Sequence, residues 1–183
     1  MTSPTKAELR AHFKKLRREV SAEARRRASA SVCSQLLAKP LGLVVAVYLA
    51  GPDELDLSAF IEAALRRGTR ILAPRWTGET YRLAELRGLS PADLRPGPHG
   101  ILEPKADAAR VEAVSWIVPG LAFTRDGVRL GYGGGWYDRL LADVDASVSV
   151  LGVAYPFQVV DSLPSEPHDR RLTGVVVASP LCP

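Results

Sequence analysis

Cysteine is scarce in this chain, which has only Cys33 and Cys182 among its 183 residues. Two isolated thiols do not make a zinc site, and we expect no structural disulfide between them. So low a cysteine content favours a cytoplasmic protein. The three histidines, His12, His99 and His168, are scattered without the spacing of metal ligands. No Ser/His/Asp or Cys/His arrangement for nucleophilic catalysis stands out.

Long apolar runs are also missing. None approaches the roughly 20 residues that span a bilayer, and the polar, basic start of the chain has no signal-peptide core. The hydrophobic fraction of 46% and the charged fraction of 24% are those of an ordinary soluble globular protein. A chain of 183 residues is long enough for one domain with a sizeable core. We therefore expect no membrane partner.

Positive charge is concentrated at the N-terminus. Residues 1–39 contain ten Lys or Arg against three Glu, a local charge of +7, so the rest of the chain carries −3 of the net +4. Such an arm is typical of a nucleic-acid-binding segment, a solvated helix face or a lid over phosphates. Nucleic-acid binding would need stacking aromatics, and Phe13 is the only Phe, Tyr or Trp in this segment. We therefore expect no nucleic-acid partner.

Hydrophobic periodicity predicts two N-terminal helices, over residues 4–18 and 21–37. In the first, Leu9, Phe13 and Leu16 form an apolar stripe. Lys6 and Arg10 lie four residues apart and so share a different face of that helix.

The rest of the chain alternates strands with helices. Predicted strands cover residues 43–49, 69–73, 81–86, 114–118, 147–154 and 174–178, and predicted helices cover 56–67 and 137–142. Residues 43–73 form a strand–helix–strand unit ended by Pro74, which implies parallel strand pairing. The Pro- and Gly-rich residues 90–105 are predicted to form an ordered surface loop. This order predicts a single three-layer α/β/α domain with a mostly parallel sheet and the N-terminal helices packed alongside.

A glycine-rich stretch leads into the predicted helix 137–142. It reads Arg129-Leu130-Gly131-Tyr132-Gly133-Gly134-Gly135-Trp136-Tyr137. Glycine lets backbone N–H groups approach a ligand closely, and such amides before a helix cradle anions. The stretch is not a Walker A loop, because no Gly-Lys-Ser/Thr follows. It indicates either a phosphate-binding loop or a turn that only reverses the chain.

Polar residues follow several predicted strands, at the sheet edge where open α/β sheets bind ligands. They are Glu54, the glycine-rich stretch, Tyr155 with Gln158, and His168-Asp169. Glu54 is either an acceptor for the N–H groups of a heterocycle or a plain turn carboxylate.

Two carboxylates and two cations each have two interpretations. Asp138 is a magnesium ligand or a carboxylate in a first helical turn, and Asp169 is a magnesium ligand or a turn cap. Lys6 and Arg10 bind phosphates or lie on an exposed helix face.

The glycine-rich stretch carries a family resemblance. Arg-Leu-Gly-x-Gly-x-Gly-x-Tyr-Asp after Pro119-Gly120-Leu121-Ala122-Phe123 resembles the nucleotide-binding signature of the 5-formyltetrahydrofolate cyclo-ligase family, also called 5,10-methenyltetrahydrofolate synthetases. Other segments that match the family in order are Lys6-x-x-x-Arg10, Tyr48-Leu49, Glu54-Leu55-Asp56 and Pro167-His168-Asp169. The resemblance therefore covers nearly the whole chain.

This resemblance implies an ATP- and magnesium-dependent enzyme that converts 5-formyltetrahydrofolate to 5,10-methenyltetrahydrofolate. It assigns ATP to Lys6, Arg10, Arg129, Leu130, Gly131, Tyr132, Gly133, Gly134, Gly135, Trp136 and Tyr137, with Lys6, Arg10 and Arg129 as catalytic residues. It assigns the folate to Leu49, Glu54, Tyr132, Gly133, Gly134, Gly135 and Trp136, and Mg²⁺ to Asp138 and Asp169.

The chain departs from the family pattern at one position, where Tyr132 replaces a residue that is usually basic. That departure removes one possible phosphate contact and leaves open a diverged relative that binds nucleotide or folate without catalysis. The expected protein is a cytoplasmic monomer that acts on small molecules.

Overall fold

A computed structural model describes residues 4–109, 111–166 and 169–180. Pro167, His168 and Cys182, on which some predictions fall, lie outside these residues. Over the described residues the chain forms four α-helices and two short 3₁₀ helices at Pro98–Gly100 and Pro156–Gln158. The α-helices are α1 Lys6–Glu19, α2 Ala22–Leu37, α3 Ser58–Arg66 and α4 Trp136–Leu141.

Strands occupy most of the remaining regular structure. In chain order they are β1 Val44–Ala46, β2 Arg70–Trp76, β3 Tyr81–Leu86, β4 Leu94–Pro96, β5 Leu102–Pro104, β6 Ser115–Val118, β7 Ala122–Thr124, β8 Arg129–Leu130, β9 Ser149–Ala154, β10 Val159–Val160 and β11 Gly174–Val177. Each predicted helix and strand is present, and several are shorter than their apolar runs because the run continues into the loop that follows.

Capping residues start the first two helices. Thr5 and Glu8 form a reciprocal capping box, with the Glu8 N–H donating to Thr5 Oγ1 at 3.2 Å and the Thr5 N–H donating to Glu8 Oε2 at 2.8 Å. Ser21 caps α2 by accepting the Ala24 N–H at 3.2 Å. The chain therefore breaks cleanly between α1 and α2.

Six strands form the main sheet in the order β11-β9-β6-β1-β2-β3. All neighbours pair in parallel except β2 and β3, which are antiparallel. The carboxyl ends of β1 and β6 therefore lie side by side near the middle of the sheet, which is where ligands bind in such folds.

The two faces of this sheet are buried by different helices. One face packs against α2 and α3, through residues such as Val32, Leu36 and Ile61. The other face, which includes Trp116 and Val118, packs against Leu141 of α4 and its neighbours. The result is the predicted three-layer α/β/α arrangement with a mostly parallel sheet.

A smaller sheet carries α1. Its order is β10-β7-β8, with β7 and β8 joined as a hairpin. Phe13, from the predicted apolar stripe, packs there with Leu121, Ala122 and Leu130. This cluster fixes α1 beside the glycine-rich stretch, which begins directly after β8.

Two predictions about local structure were wrong. Pro74 does not end β2, which continues to Trp76 and pairs Pro74 with Leu83 of β3. The proline is tolerated because β1 pairs with β2 only as far as Leu72, so Pro74 has a strand on one side alone. Residues 90–105 are not a plain loop, since they contain the β4–β5 hairpin, in which Arg95 faces Glu103.

None of the described helices is long and apolar enough to cross a membrane.

Candidate active site

A cavity of about 660 Å³ lies at the carboxyl ends of β1 and β6, between α1 and the glycine-rich stretch. Every residue that the family resemblance assigns to ATP, folate or Mg²⁺ lines it: Lys6, Arg10, Leu49, Glu54, Arg129, Leu130, Gly131, Tyr132, Gly133, Gly134, Gly135, Trp136, Tyr137, Asp138 and Asp169. Its volume falls in the range typical of small-molecule sites. The structure thus brings together residues that lie more than 160 positions apart in the chain.

The glycine loop, residues Gly131–Gly135, connects β8 to α4 without regular secondary structure. Gly133 and Gly135 have φ values of 103° and 65°, which residues with a side chain rarely adopt. A side chain at Gly134 would also meet the Trp136 indole at 2.9 Å. The glycines are therefore required by the backbone path, and they leave the amides of the loop uncovered.

Three predicted phosphate-binding cations border this loop. Arg10 Nε donates to the Gly131 carbonyl at 3.1 Å. Lys6 Nζ contacts Glu166 Oε1 at 2.8 Å and Asp169 Oδ2 at 3.1 Å. The hydrogen bond to Glu166, followed by that to Asp169, raises the pKa of the Lys6 ammonium, which stays charged at neutral pH. Lys6 and Arg10 therefore lie on a face turned to the cavity.

The third cation, Arg129, is almost fully buried, with 6% of its side chain exposed. Its Nη2 lies 2.5 Å from Asp138 Oδ1, and its Nη1 donates to the Pro119 carbonyl at 3.4 Å. Its guanidinium also lies 5.7 Å from the centre of the Tyr137 ring. These contacts hold one positive charge at the base of the loop.

Asp138 and Asp169 both have the contacts expected of a structural role, as a carboxylate in a first helical turn and as a turn cap. Asp138 lies in the first turn of α4 and pairs with Arg129. Asp169 caps a turn by accepting the Glu166 N–H at 2.8 Å, besides pairing with Lys6. No group of three or more His, Cys, Asp or Glu side chains gathers for a metal within the described ranges.

Glu54 follows β1, lines the same cavity and is 9% exposed. Its Oε2 accepts the Gly51 N–H at 2.8 Å, and its Oε1 accepts a hydrogen bond from the Tyr132 hydroxyl. Tyr132 in turn accepts a hydrogen bond from Arg17 Nη1, which lies 3.8 Å from Glu54 Oε1. Arg17, Tyr132 and Glu54 thus form one network, called here the Arg17–Tyr132–Glu54 triad.

The surroundings of the Tyr132 hydroxyl favour a neutral phenol. Although 38% of Tyr132 is exposed, its hydroxyl is enclosed between Arg17 and Glu54. Burial of the hydroxyl and the nearby Glu54 charge raise the pKa of Tyr132 well above its ordinary value, against the opposing effect of Arg17. The hydroxyl is therefore a hydrogen-bond donor to Glu54 at neutral pH.

Arg17 is a site residue that sequence reasoning missed. It is 7% exposed and lines the cavity although it lies in a strongly basic helix. A signal was present, because Arg17 follows Arg10 by seven residues and therefore lies on the same face two turns later.

An aromatic wall closes one side of the cavity. Trp136 makes edge contacts with Trp76 and Tyr81, with ring centres 5.1 and 5.2 Å apart. The β4–β5 hairpin extends this wall with the exposed side chains of Ile101 and Leu102. The sequence predicted an ordered surface loop here, and that prediction did not include the contribution of the hairpin to the cavity.

The hairpin is held in place by a buried carboxylate. Glu103 is 3% exposed, accepts the Trp76 N–H at 2.9 Å and accepts Arg95 Nε at 2.8 Å. Leu49, a predicted folate contact, lines the same cavity and packs partly against the core.

Tyr155 and Gln158 do not belong to the cavity, contrary to expectation. Gln158 is 2% exposed and donates to the carbonyls of Gly120 and Leu121 at 3.0 and 2.8 Å. Tyr155 is fully buried and stacks on Phe157. Both follow a sheet strand, but the chain turns inward there, and Gln158 joins the segment after β9 to the residues just before β7.

The fold and cavity define an α/β protein with a cationic, glycine-lined end and an aromatic end in one site. The family model of the 5-formyltetrahydrofolate cyclo-ligase family matches residues 2–178. The chain therefore belongs to that family.

Individual relatives agree. A 5-formyltetrahydrofolate cyclo-ligase of Mycolicibacterium smegmatis is 30% identical over 185 residues, covering 96% of this chain and 95% of the relative. The Escherichia coli K12 protein of the same name is 36% identical over 141 residues, covering 74% of this chain and 78% of the relative. The NMR structure of Aquifex aeolicus 5,10-methenyltetrahydrofolate synthetase has a TM-score of 0.81 and 36% identity, covering 94% of this chain and 89% of that one.

Proposed function

We propose that this protein converts 5-formyltetrahydrofolate to 5,10-methenyltetrahydrofolate, with ATP hydrolysed to ADP and phosphate. The observation that carries the proposal is the meeting of all the residues assigned by resemblance to ATP, folate and Mg²⁺ in one cavity. Membership of the family supplies the reaction, and the names of the relatives agree with it.

ATP binds at the cationic end in this proposal. The uncovered amides of the glycine loop contact the phosphates, together with Lys6, Arg10 and Arg129. In the structure, Lys6 contacts the Glu166 carboxylate at 2.8 Å, and Arg10 donates to the Gly131 carbonyl at 3.1 Å. A triphosphate offers stronger charge-assisted acceptors to the same groups, so these contacts exchange when ATP enters.

Magnesium fits the carboxylates of this end only together with ATP. Asp138 and Asp169 line the same cavity, and Mg²⁺ in nucleotide sites is usually held by one or two carboxylates plus phosphate oxygens and water. Bound there, the ion would neutralise charge on the phosphates. Asp138 pairs with Arg129 and Asp169 pairs with Lys6, so a bound ion would share each carboxylate with a cation of the protein.

The folate binds at the other end. Glu54 has carboxylate oxygens suited to the N–H groups of a reduced pterin, and Leu49 lines the cavity beside it. The aromatic wall of Tyr81 and Trp136 offers flat apolar surface to the rest of the substrate.

The protein then acts by positioning and charge neutralisation. The formyl oxygen attacks the γ-phosphorus, and the bond to ADP breaks. N10 of the folate next attacks the formyl carbon, and the carbon–oxygen bond breaks as phosphate departs with the N10 proton. Neither step needs a protein nucleophile. Lys6, Arg10 and Arg129 stabilise the charge that develops on the transferring phosphoryl group.

The direct test is turnover by the purified protein. With ATP, Mg²⁺ and 5-formyltetrahydrofolate together, we expect the absorbance of the methenyl product to grow with ADP release in equal amounts. Omitting ATP is the control and should give no product. Binding of both substrates without ADP release would favour the non-catalytic relative, and no binding of either would contradict the proposal.

The nucleic-acid alternative gains no stacking aromatic from the structure. Phe13, the only Phe, Tyr or Trp of the basic segment, is 3% exposed and packs in a core cluster, so it offers no ring for base stacking. Salt-sensitive binding of mixed nucleic acid without folate turnover would revive this alternative.

The proposal also includes a single domain, a monomer and a cytoplasmic location. One transition in calorimetry and a sedimentation mass near 19.8 kDa would support the first two. Fluorescent tagging in cells would test the third.

A further inference from the structure

Tyr132 connects the two ends of the cavity. Its backbone belongs to the glycine loop, which holds the phosphates in the proposed function. Its hydroxyl donates to Glu54, the acceptor for the folate heterocycle. The two proposed binding sites therefore share one side chain.

Both carboxylate oxygens of Glu54 already accept a hydrogen bond, Oε2 from the Gly51 N–H at 2.8 Å and Oε1 from the Tyr132 hydroxyl. Each oxygen can accept a second bond, but the carboxylate is only 9% exposed and Arg17 Nη1 lies 3.8 Å from Oε1. Little space therefore remains for an N–H group of the heterocycle at Oε1 while the phenol is in place. Folate binding thus includes the loss of the contact between Tyr132 and Glu54.

The glycine loop is held by the same contact. Tyr132 lies between Gly131 and Gly133, so short flexible segments flank it on both sides. Two arginines of α1 hold this part of the loop, Arg10 through the Gly131 carbonyl at 3.1 Å and Arg17 through the Tyr132 hydroxyl. Phosphates that draw the loop amides and Arg10 to themselves move Tyr132 with the loop.

We propose that Tyr132 couples the two substrate sites, so that binding of ATP strengthens binding of 5-formyltetrahydrofolate and the reverse. Either substrate breaks the contact between Tyr132 and Glu54, and the second substrate then binds a site already released. This coupling rests on the proposed function, because it requires that both substrates bind this cavity. By thermodynamic linkage, ATP changes the dissociation constant of the folate by the same factor by which the folate changes that of ATP.

The state of the phenol agrees with this arrangement. Because the pKa of Tyr132 is raised by burial of the hydroxyl and by Glu54, the phenol remains a neutral donor throughout the neutral pH range. A hydrogen bond between a neutral donor and a carboxylate is stronger than a neutral pair. We therefore expect a coupling factor of about tenfold, equal to about 1.4 kcal/mol.

Isothermal titration calorimetry tests the coupling. The β,γ-imido analogue of ATP with Mg²⁺ is titrated with and without saturating 5-formyltetrahydrofolate, and the folate with and without the analogue. In the wild type, each dissociation constant should fall about tenfold when the other ligand is present. In Tyr132→Phe the factor should fall below about twofold, and each ligand alone should bind about as tightly as to the preloaded wild type.

Tyr155→Phe is the matched control. It also removes one buried hydroxyl, but that hydroxyl has no hydrogen-bond partner within the described part of the chain and lies outside the cavity. This variant should keep the full coupling. If Tyr132→Phe folds poorly, Tyr132→Leu replaces it. This variant also lacks the hydroxyl and should show the same loss of coupling.

The outcomes distinguish a failure of the proposed function from a failure of the coupling. Failure of either ligand to bind the wild type contradicts the proposed function itself. Binding of both ligands to the wild type without coupling overturns the coupling alone. It is also overturned if Tyr132→Phe keeps the tenfold factor, or if that variant binds each single ligand more weakly, as a purely structural defect would cause.

Discussion

Asp138 and the buried Arg129 clamp the two ends of the glycine loop together, with Asp138 Oδ1 lying 2.5 Å from Arg129 Nη2. Arg129 belongs to β8 and Asp138 to α4, so this ion pair spans the whole loop between them. It also orients the carboxylate that is proposed to hold Mg²⁺. One contact therefore serves both the shape of the loop and the charge of the site.

This relationship leads to a prediction for Asp138→Asn. The amide oxygen still accepts from Arg129, so the fold should persist, with a loss of unfolding free energy of about 1–2 kcal/mol. The lost carboxylate charge should lower kcat at least about 100-fold, because Mg²⁺, which neutralises charge on the phosphates, would lose a ligand. Steady-state kinetics and urea unfolding measure the two effects.

Asp126→Asn is the control, since Asp126 pairs with Arg171 on the exposed surface. Activity of that variant should equal that of the wild type. Full activity of Asp138→Asn would remove the proposed metal-binding role.

A second prediction concerns Lys6→Ala. The ion pairs of Lys6 with Glu166 and Asp169 are partly exposed, so their loss should change the unfolding free energy by about 1 kcal/mol or less. The loss of a phosphate contact should raise the KM for ATP and lower kcat/KM at least about tenfold. Kinetics at varied ATP concentration measure this.

Lys15→Ala serves for comparison, because the Lys15 side chain is 78% exposed and is four residues from Glu19 on the same helix. It should leave both kinetic constants unchanged. Equal effects of the two substitutions would point to general charge rather than to a specific phosphate contact.

A third prediction concerns the anchor of the aromatic wall. Glu103→Gln removes the charge that Arg95 and the Trp76 N–H share, in a carboxylate that is 3% exposed. Because Arg95 is partly exposed, we expect a loss of unfolding free energy of about 2–3 kcal/mol, below the cost of breaking a fully buried pair. Urea denaturation followed by tryptophan fluorescence reports it.

The matched substitution is Glu85→Gln, in the more exposed pair with Arg70. It should cost about 1 kcal/mol or less. A cost for Glu103→Gln as small as that for Glu85→Gln would show that Glu103 does not anchor the hairpin.

The fourth prediction concerns alkaline pH. All five tyrosines have a raised pKa, with burial as the largest cause in each: Tyr48, Tyr81, Tyr132, Tyr137 and Tyr155. Unfolded tyrosines ionise near pH 10. The unfolded chain therefore releases these protons first, so stability should be unaffected below about pH 10 and should fall as the pH rises further.

A titration followed by phenolate absorbance near 295 nm checks this. The native protein should show less phenolate at pH 10 than the chain in guanidinium, which should be about half ionised there. Native tyrosines that titrate normally near pH 10 would contradict the burial of their hydroxyls.

Much of the main sheet could be predicted because its strands are long apolar runs whose partners are also apolar. The strands β7, β8 and β10 could not, since segments of two or three residues have no measurable periodicity. Their pairing depends on contacts with α1 that are distant in sequence. Pro74 was misread for a related reason, because its strand loses one neighbour there and no local pattern shows that loss.

The cationic end of the site could be predicted from glycine spacing and from a family resemblance. Arg17 was missed because it lies among other basic residues, and only its packing separates it from exposed neighbours. Gln158 was misplaced because strand order gives the sheet edge but not the direction in which the chain turns after it. The role of Tyr81 depended on the antiparallel turn that brings β3 beside α4.

The ion pair between Lys6 and Asp169 has a consequence for biosynthesis. Asp169 is translated 163 residues after Lys6. A nascent chain can assemble β1, β2 and β6 and still lack the partner of Lys6, as well as β11 at the edge of the sheet. The ion pair, and with it the full lining of the cavity, therefore forms only after Asp169 has emerged from the ribosome.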